Sequence, residues 1–185
     1  GQQALKIKNF SGISLYEGMV SGNVYLHEPY VRIIRFIADD IEHEHTRLHQ
    51  ATEILKTEVD HLISDAIIGL QSETKEILET YRAFSRDKGW FRRISEAIKQ
   101  GLTAEAAVDH VRTEIVHKMQ SMNDNYLRER YHDFEDLANR LLRLLSGKPL
   151  YKNDNMPENA IIIAKSMGPA ELLEYNLKLV KGLII

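Results

Sequence analysis

The chain has 185 residues, of which 43% are hydrophobic and 28% are charged, and its formal net charge at pH 7 is -3. This composition is typical of a folded globular protein, and the acidic balance argues against nucleic-acid binding. The absence of cysteine excludes disulfides, zinc–thiolate sites and a cysteine nucleophile. No apolar run has the length of a membrane span and no signal-peptide pattern opens the chain, so we expect a soluble, cytoplasmic protein with no membrane partner.

Strand and turn signals occupy the first part of the chain. Short apolar or alternating runs, separated by glycine and proline, predict strands over residues 10–15, 20–26 and 31–37. The pattern then changes to helical periodicity.

Two helices are predicted next. Asp39 or Asp40 is placed to cap a long first helix, and apolar residues recur along one face of it. A break that contains Gly69 separates it from a second helix, which Ser72 can cap. Gly89 is predicted to interrupt the second helix, after which a short helix continues.

Two further main helices follow the stop signal at Gly101. Thr103 is predicted to cap the third, and Asp124 to cap a fourth that runs without a break to residue 145. Short loops predict that neighbouring helices run antiparallel as a four-helix bundle. The charged face of the fourth helix is expected to be solvated, and it carries Arg128, Glu129, His132, Asp133, Glu135, Asp136 and Arg140.

The last part of the chain reads as a β-α-β unit. Residues 160–164 form a buried-strand run, Gly168 and Pro169 open a helix, and residues 182–185 are a further apolar strand. Because the chain stops within that strand, we expect the unit to be truncated and partly exposed.

These signals predict an α+β fold that is mostly α. Residues 38–147 would form the helical subdomain, inserted into an α/β unit whose first part is residues 1–37 and whose second, truncated part is residues 148–185.

A metal site is one interpretation of the histidines near the start of the first helix. His45 and His49 lie four residues apart, with Glu42, His43 and Glu44 nearby. Acidic residues also suit a solvated helix start, and no third ligand follows at a fixed spacing. We therefore assign no metal ligand, and no catalytic residue, from spacing alone.

An interaction surface is the second interpretation that the residues suggest. Tyr81, Phe84, Trp90 and Phe91 alternate with four arginines in and after the second helix. Aromatic residues and arginine are enriched in protein–protein interfaces, although some of these rings must also belong to the core. A helical adaptor without enzymatic activity therefore stays open.

Three motifs carry a resemblance to a known family. They are G-I-S-L-Y-E-G-M-V-S-G near the start, L-T-A-E-A-A-V-D-H-V from Leu102, and N-D-N-Y-L-R-E-R-Y-H-D-F-E-D-L-A-N-R-L-L from Asn123. They resemble the N-terminal phosphotransfer domain of enzyme I of the bacterial phosphoenolpyruvate phosphotransferase system. M-G-P-A-E-L-L-E-Y-N from Met167 is more similar to nitrogen-type enzyme I than to the sugar-type enzyme, which typically has Thr where this chain has Gly168.

The resemblance implies a fold and a reaction. In that family a four-helix subdomain is inserted into an α/β phosphohistidine (swivelling) subdomain, and phosphate passes from phosphoenolpyruvate to a histidine and then to the carrier HPr or its nitrogen-branch relative. The motif of that histidine, G-G-x-x-S-H, is absent here, so we expect this fragment to be inactive. Magnesium and homodimerisation are expected only for the full-length enzyme, whose C-terminal domain holds both.

The resemblance also implies a carrier-docking face on the helical subdomain. Tyr81 stands where the sugar-type enzyme has a histidine, and Ala83 where it has a larger apolar residue, so the nitrogen-branch carrier is the expected partner. The positions that match the docking face are Glu79, Tyr81, Phe84, Asp87, Trp90, Met119, Tyr126 and Arg130.

Overall fold

The structure, a computed structural model, describes residues 9–148 and 155–185. Within these ranges the chain is mostly helical with a small parallel sheet, in agreement with the predicted α+β, mostly α class. The elements are β1 (Asn23–His27), α1 (Ile41–Ala66), α2 (Ser72–Ser85), α3 (Lys88–Lys99), α4 (Ala104–Gln120), α5 (Asn125–Glu129), α6 (Tyr131–Leu145), β2 (Ala160–Ala164), α7 (Pro169–Leu173) and β3 (Val180–Ile184).

Local sequence signals set several helix ends as predicted. The Asp40 carboxylate accepts a hydrogen bond from the backbone N–H of His43 at 3.1 Å and so caps α1. Thr103 caps α4 in the same way through the N–H of Ala106. Gly101 has a φ of 104° just after α3, a conformation that glycine adopts without strain and that ends the helix.

The predicted interruption between the second helix and a short helix after it is observed, but the chain turns before Gly89 and not at it. Helix α2 ends at Ser85, and Gly89 lies in the first turn of α3. The Asp87 carboxylate caps α3 by accepting the N–H of Trp90 at 2.6 Å, and this cap outweighs the low helix propensity of one glycine. The residue that precedes α2 is Gln71, so Ser72 is its first helical residue and not its cap.

The predicted continuous fourth helix is divided into α5 and α6. Asp124 caps α5 as expected, since it accepts the N–H of Leu127 at 3.0 Å. Backbone hydrogen bonds between residues three apart follow. The Arg130 N–H donates to the Leu127 carbonyl, and the Asp133 N–H donates to the Arg130 carbonyl. Arg130 therefore lies at the junction, between the end of α5 and the start of α6.

The sheet has the order β1-β2-β3, with both neighbouring pairs parallel. Asn23 is in register with Ala160, so the sheet joins segments that are far apart in the sequence. Gly22 lies against this junction, and a Cβ added there would be 2.0 Å from the carbonyl oxygen of Asn159. No larger residue fits that position without a backbone shift.

Two predicted strands are wrong within the described residues. Neither residues 10–15 nor residues 31–37 form a strand in the sheet. In the second segment, Val31 and Ile33 pack against the helical core, so their apolar side chains serve helix packing rather than strand pairing. Apolar periodicity alone does not distinguish these two outcomes.

The helices enclose the larger of two hydrophobic cores. Leu55, Val59 and Ile63 of α1 are fully buried there, together with Leu137 and Leu141 of α6. In the described part of the chain, no helix has the length and apolar character needed to cross a membrane.

The smaller core lies on one side of the sheet and contains Ile162 of β2 and Tyr175. On β1, Val24 and Leu26 remain exposed, and Ile184 of β3 is exposed as well. The expected exposure of this part of the chain is therefore observed on the sheet.

The polar face of α6 is buried and not solvated, which corrects the prediction for Asp133, Asp136 and Arg140. Helix α7 packs against α1, α2 and α6, and the residues after it reach the same charged face. The Arg140 Nη1 atom is 2.7 Å from Oε1 of Glu174, and its Nε is 3.5 Å from Oδ2 of Asp136. The Tyr81 hydroxyl from α2 donates to Asp136 at 2.6 Å.

These groups, with Arg143, form a charge cluster between α6 and the segment after α7. The Arg143 Nη2 atom lies 3.5 Å from the same Glu174 oxygen that Arg140 contacts. Burial raises the pKa of Glu174 to about 7, although Arg140 acts in the opposite direction. Burial also raises the pKa of Asp136, again against Arg140. The carboxylates therefore depend on the arginines for their charged form.

We predict that Arg140→Ala destabilises the protein by about 3–5 kcal/mol, because it leaves Asp136 and Glu174 buried without their main cation. The measurement is the free energy of unfolding from denaturant titration followed by circular dichroism. The control is Arg35→Ala, which removes the exposed ion pair with Asp39 and should cost at most about 1 kcal/mol. Equal effects of the two substitutions would contradict the prediction.

Candidate functional site

An apolar cleft of about 260 Å³ opens between the α2–α3 corner, α4 and the α5–α6 region. Its interior is apolar, and Asp87, Arg93 and Lys118 supply charge to its walls. The apolar lining residues are Phe84, Trp90, Ile115, Met119, Met122, Leu127 and Phe134. An apolar centre bordered by charged groups is the usual composition of a protein-docking site.

Aromatic rings form the rigid base of this cleft. The rings of Trp90 and Phe134 meet edge to face with centroids 5.1 Å apart, and Phe84 meets Phe134 in the same way at 6.0 Å. Trp90 is buried, and its indole N–H makes no hydrogen bond to any residue in the described ranges. A buried donor of this kind is uncommon.

Methionine and leucine side chains complete the cleft. Met119 and Met122 lie at the end of α4 and just after it, and their unbranched side chains adapt to differently shaped partners. Leu127 of α5 is 38% exposed, so it offers apolar surface directly to solvent. The cleft therefore combines a fixed aromatic base with adaptable walls.

Tyr126 and Arg130 lie beside the cleft on the α5–α6 segment. The Arg130 guanidinium lies over the Tyr126 ring, 5.3 Å from its centroid, and its Nη1 atom is 3.3 Å from Oδ2 of Asp133. The Tyr126 hydroxyl is 3.1 Å from the Thr80 hydroxyl oxygen, which connects α5 to α2.

Four of the residues that the sequence assigned to a docking face line the cleft: Phe84, Asp87, Trp90 and Met119. Their contact with a partner stays a prediction. Asp87 also caps α3, so its carboxylate serves the local structure whether or not it meets a partner.

The two other assigned residues, Glu79 and Tyr81, lie away from the cleft on α2. Glu79 is exposed, and its carboxylate is 3.6 Å from Nη1 of Arg82. Tyr81 is only 1% exposed, and its hydroxyl is bonded to Asp136. Tyr81 therefore supports the fold from inside and offers no contact surface here.

Sequence reasoning missed part of the cleft lining. Leu127, Ile115 and Met122 were assigned to buried helix faces, because their spacing fits the apolar stripes of α4 and the fourth helix. The division of that helix at Arg130 turns α5 into a separate short segment, so Leu127 faces a cleft instead of the core. No local signal in the sequence marks this division.

One histidine, His27, has a close polar partner at each of its two ring nitrogens. Its ring is buried at the end of β1, with Nδ1 2.6 Å from the Tyr175 hydroxyl and Nε2 2.5 Å from Oε2 of Glu171. Burial raises the pKa of Tyr175 above its usual value. Both ring nitrogens of His27 are engaged, so this histidine holds the sheet against α7 and is not presented to a substrate.

The described residues contain no group of three or more His, Asp or Glu side chains that could hold a metal ion. The alternative of a metal site at His45 and His49 therefore gains no third ligand in this part of the chain.

We predict that Asp87→Ala lowers the free energy of unfolding by about 1 kcal/mol, because it removes the side chain that caps α3. The sole tryptophan, Trp90, gives the readout: its fluorescence follows denaturant unfolding at the capped end of the helix. Asp87→Ser is the matched control, since serine can also cap, and it should retain most of the stability. A loss for Ser as large as for Ala would contradict the capping role.

Comparison with known proteins gives a family match over most of the chain. The family described as PEP-utilising enzyme, N-terminal, matches residues 11–130. The phosphoenolpyruvate-protein phosphotransferase of Listeria innocua is 27% identical over 179 residues. This alignment covers 96% of the present chain, and the chain spans 31% of the length of that relative.

Two solved structures share the fold. A solution structure of an enzyme I protein superposes with a TM-score of 0.68 and 24% identity, covering 88% of this chain and 67% of that one. A structure described as the N-terminal domain of nitrogen enzyme I gives a TM-score of 0.66, with the same identity and the same two coverages. At this identity the similarity concerns the fold alone.

Proposed function

Since the chain belongs to the family of PEP-utilising enzyme N-terminal domains, we propose that it is part of a phosphoenolpyruvate-protein phosphotransferase. In this proposal the whole enzyme transfers phosphate from phosphoenolpyruvate to a histidine and then to an HPr-like carrier. The name of the relative that aligns with 96% of the chain supports the reaction class. Magnesium and a homodimer contact would belong to parts of the enzyme outside this chain.

The role we propose for this chain is to dock the carrier. The observation that carries the proposal is the open cleft with a rigid aromatic base and the exposed Leu127 at its edge. Exposed apolar surface against a well-packed aromatic group is typical of the centre of a protein interface. Arg93 and Lys118 border the cleft and would favour a carrier with acidic groups around its own apolar contact.

The phosphorylated histidine is proposed to lie in the remainder of the enzyme. None of the eight histidines in this chain is in the family's G-G-x-x-S-H motif. His27 in particular is buried between Glu171 and Tyr175, where neither ring nitrogen is open to attack phosphoenolpyruvate.

The nitrogen branch is the more specific proposal, with the sugar-type enzyme as the alternative. Gly168 is the residue that differs from the threonine typical of the sugar-type enzyme. A Cβ at this position would be 2.8 Å from Oδ1 of Asp133. A threonine at this position would require the Asp133 side chain to move, so glycine is matched to its surroundings in this chain.

We also propose a division into two subdomains. Residues 38–147 would form the carrier-binding, antiparallel four-helix bundle, and residues 1–37 and 148–185 would together form the phosphohistidine-type α/β subdomain. The pairing of β1 with β2 supports this division, because it brings the two ends of the chain into one sheet.

Leu127→Gln tests the docking proposal. We expect it to weaken binding of the HPr-like carrier at least about tenfold, because it puts a polar side chain where the partner's apolar surface would meet the aromatic base. Isothermal titration calorimetry with the nitrogen-branch carrier and, separately, with sugar-branch HPr gives the affinities. Ile54→Gln is the control, because Ile54 is also an exposed apolar residue but lies on α1 outside the cleft.

If only Leu127→Gln loses affinity for the carrier, docking in the cleft is supported. If the chain also prefers the nitrogen-branch carrier, the nitrogen assignment is supported as well. Preference for sugar-branch HPr would refute the nitrogen assignment only. Unchanged binding by Leu127→Gln, or equal losses in both variants, would refute docking in the cleft.

A further inference from the structure

The contact between the helices and the segment after α7 holds more carboxylates than cations. Oε1 of Glu174 lies 2.7 Å from Nη1 of Arg140 and 3.5 Å from Nη2 of Arg143. Oδ2 of Asp136 shares Arg140, at 3.5 Å from its Nε. Glu58 of α1 is partly buried, and the charges of both arginines act on its carboxyl group. Among the described residues, three carboxylates therefore face two guanidinium groups in this contact.

Further ionisable groups around this contact are uncharged or already paired. They are Tyr81 of α2, Tyr175, the pair of Glu171 on α7 with His27 on β1, and the pair of Asp133 on α6 with Arg130. Burial raises the pKa of Tyr81 well above its usual value, so its hydroxyl stays neutral and donates to Asp136. None of these groups adds an uncommitted positive charge beside Glu174.

Three carboxylate oxygens in the same contact lack a hydrogen-bond donor. They are Oδ1 of Asp136, Oε2 of Glu174 and Oε2 of Glu58, each buried and without a hydrogen bond to any atom in residues 9–148 or 155–185. Buried polar atoms are nearly always paired. A proton on one carboxylate removes one negative charge and turns one acceptor oxygen into a donor. The geometry therefore favours one carboxyl group that keeps its proton.

Glu174 is the carboxylate best placed to keep it. The Tyr81 hydroxyl donates to Asp136, and a hydrogen bond of this kind favours the charged form of a carboxylate. Glu58 is only partly buried, so water reaches part of its side chain. The Glu174 side chain is 5% exposed and has no hydroxyl donor of its own in the described residues.

We propose that Glu174 holds an exchangeable proton in the folded chain, and that loss of this proton loosens the packing of α7 on the helices. Helix α7 contacts α1, α2 and α6, and Glu171 on the same helix is bound to His27 of the sheet. A looser α7 therefore also loosens the hold of the helices on the sheet. The result is a pH-sensitive contact between the two parts of the fold.

The direction of the pH effect follows from the burial of Glu174. Burial raises its pKa from the usual 4.5 to about 7, against the opposing charge of Arg140. Between these two values the folded chain binds more protons than the unfolded chain, so stability falls as pH rises through this window. Burial also raises the pKa of Asp133 to about 6, and that of Asp136 and Glu58, with the same sign.

The experiment measures the equilibrium constant of unfolding of this chain by denaturant titration at pH 6 and pH 8. Glu174→Gln is the variant, because glutamine has the size of protonated glutamate and does not titrate. We expect the wild-type constant to rise about tenfold more between the two pH values than that of the variant. Glu96→Gln is the matched control, since Glu96 is exposed on α3, and it should keep the wild-type pH dependence.

Two measurements on the wild type decide the proposal even where the variant fails to fold. Carbon-detected NMR should show the Glu174 carboxyl titrating near pH 7, and a midpoint near 4.5 would overturn the proposal. The amide of Leu172 in α7, which donates to the Gly168 carbonyl, should lose about tenfold in hydrogen-exchange protection factor between pH 6 and pH 8. An unchanged protection factor would refute the loosening of α7.

Equal pH dependence in wild type and Glu174→Gln, or the same loss of pH dependence in Glu96→Gln, would also overturn the proposal. The proposed contact lies outside the apolar cleft, since neither Glu174 nor Leu172 lines that cleft. Leu127→Gln should therefore keep the wild-type pH dependence, and failure of carrier docking is distinguishable from failure of this proposal.

Discussion

The pairing of Arg140 with Asp136 and Glu174 is the constraint on which the arrangement of this protein depends. A charged side chain buried in a helix face costs several kcal/mol unless opposite charges meet it. Asp136 is supplied by α6 itself, but Glu174 comes from the segment after α7. The charged face of α6 is therefore compatible with the folded chain only when α7 is packed against it, and this contact fixes the sheet relative to the helices.

That contact and the break at Arg130 together shape the surface around the apolar cleft. Packing of α7 on α6 brings the loop that contains Gly168 against Asp133. The break separates α5 from α6 and leaves Leu127 exposed above the aromatic base of the apolar cleft.

The sequence predicts interactions between residues that are close along the chain, and it misses interactions between residues that are far apart. Helix caps at Asp40 and Thr103 involve residues three positions away, and they are correctly predicted. The burial of Arg140 was missed because a charged helix face has the same pattern whether water or a distant carboxylate meets it. In the candidate site, the family resemblance assigns Phe84 and Met119 to a docking face, and both line the cleft. It also assigns Tyr81 to that face, although Tyr81 is buried.

The central claim is that Arg140 and Glu174 stabilise the fold through each other, across the contact between α6 and α7. A double-mutant cycle with Arg140→Met, Glu174→Met and the double variant measures this directly from three unfolding free energies and that of the wild type. Arg140→Met leaves Glu174 without its main cation, and Glu174→Met leaves Arg140 with Asp136 alone, whereas the double substitution removes both members of the pair and retains apolar packing. The account predicts a coupling energy of at least about 1 kcal/mol, with the double variant more stable than the sum of the single losses implies. Additive losses would contradict it.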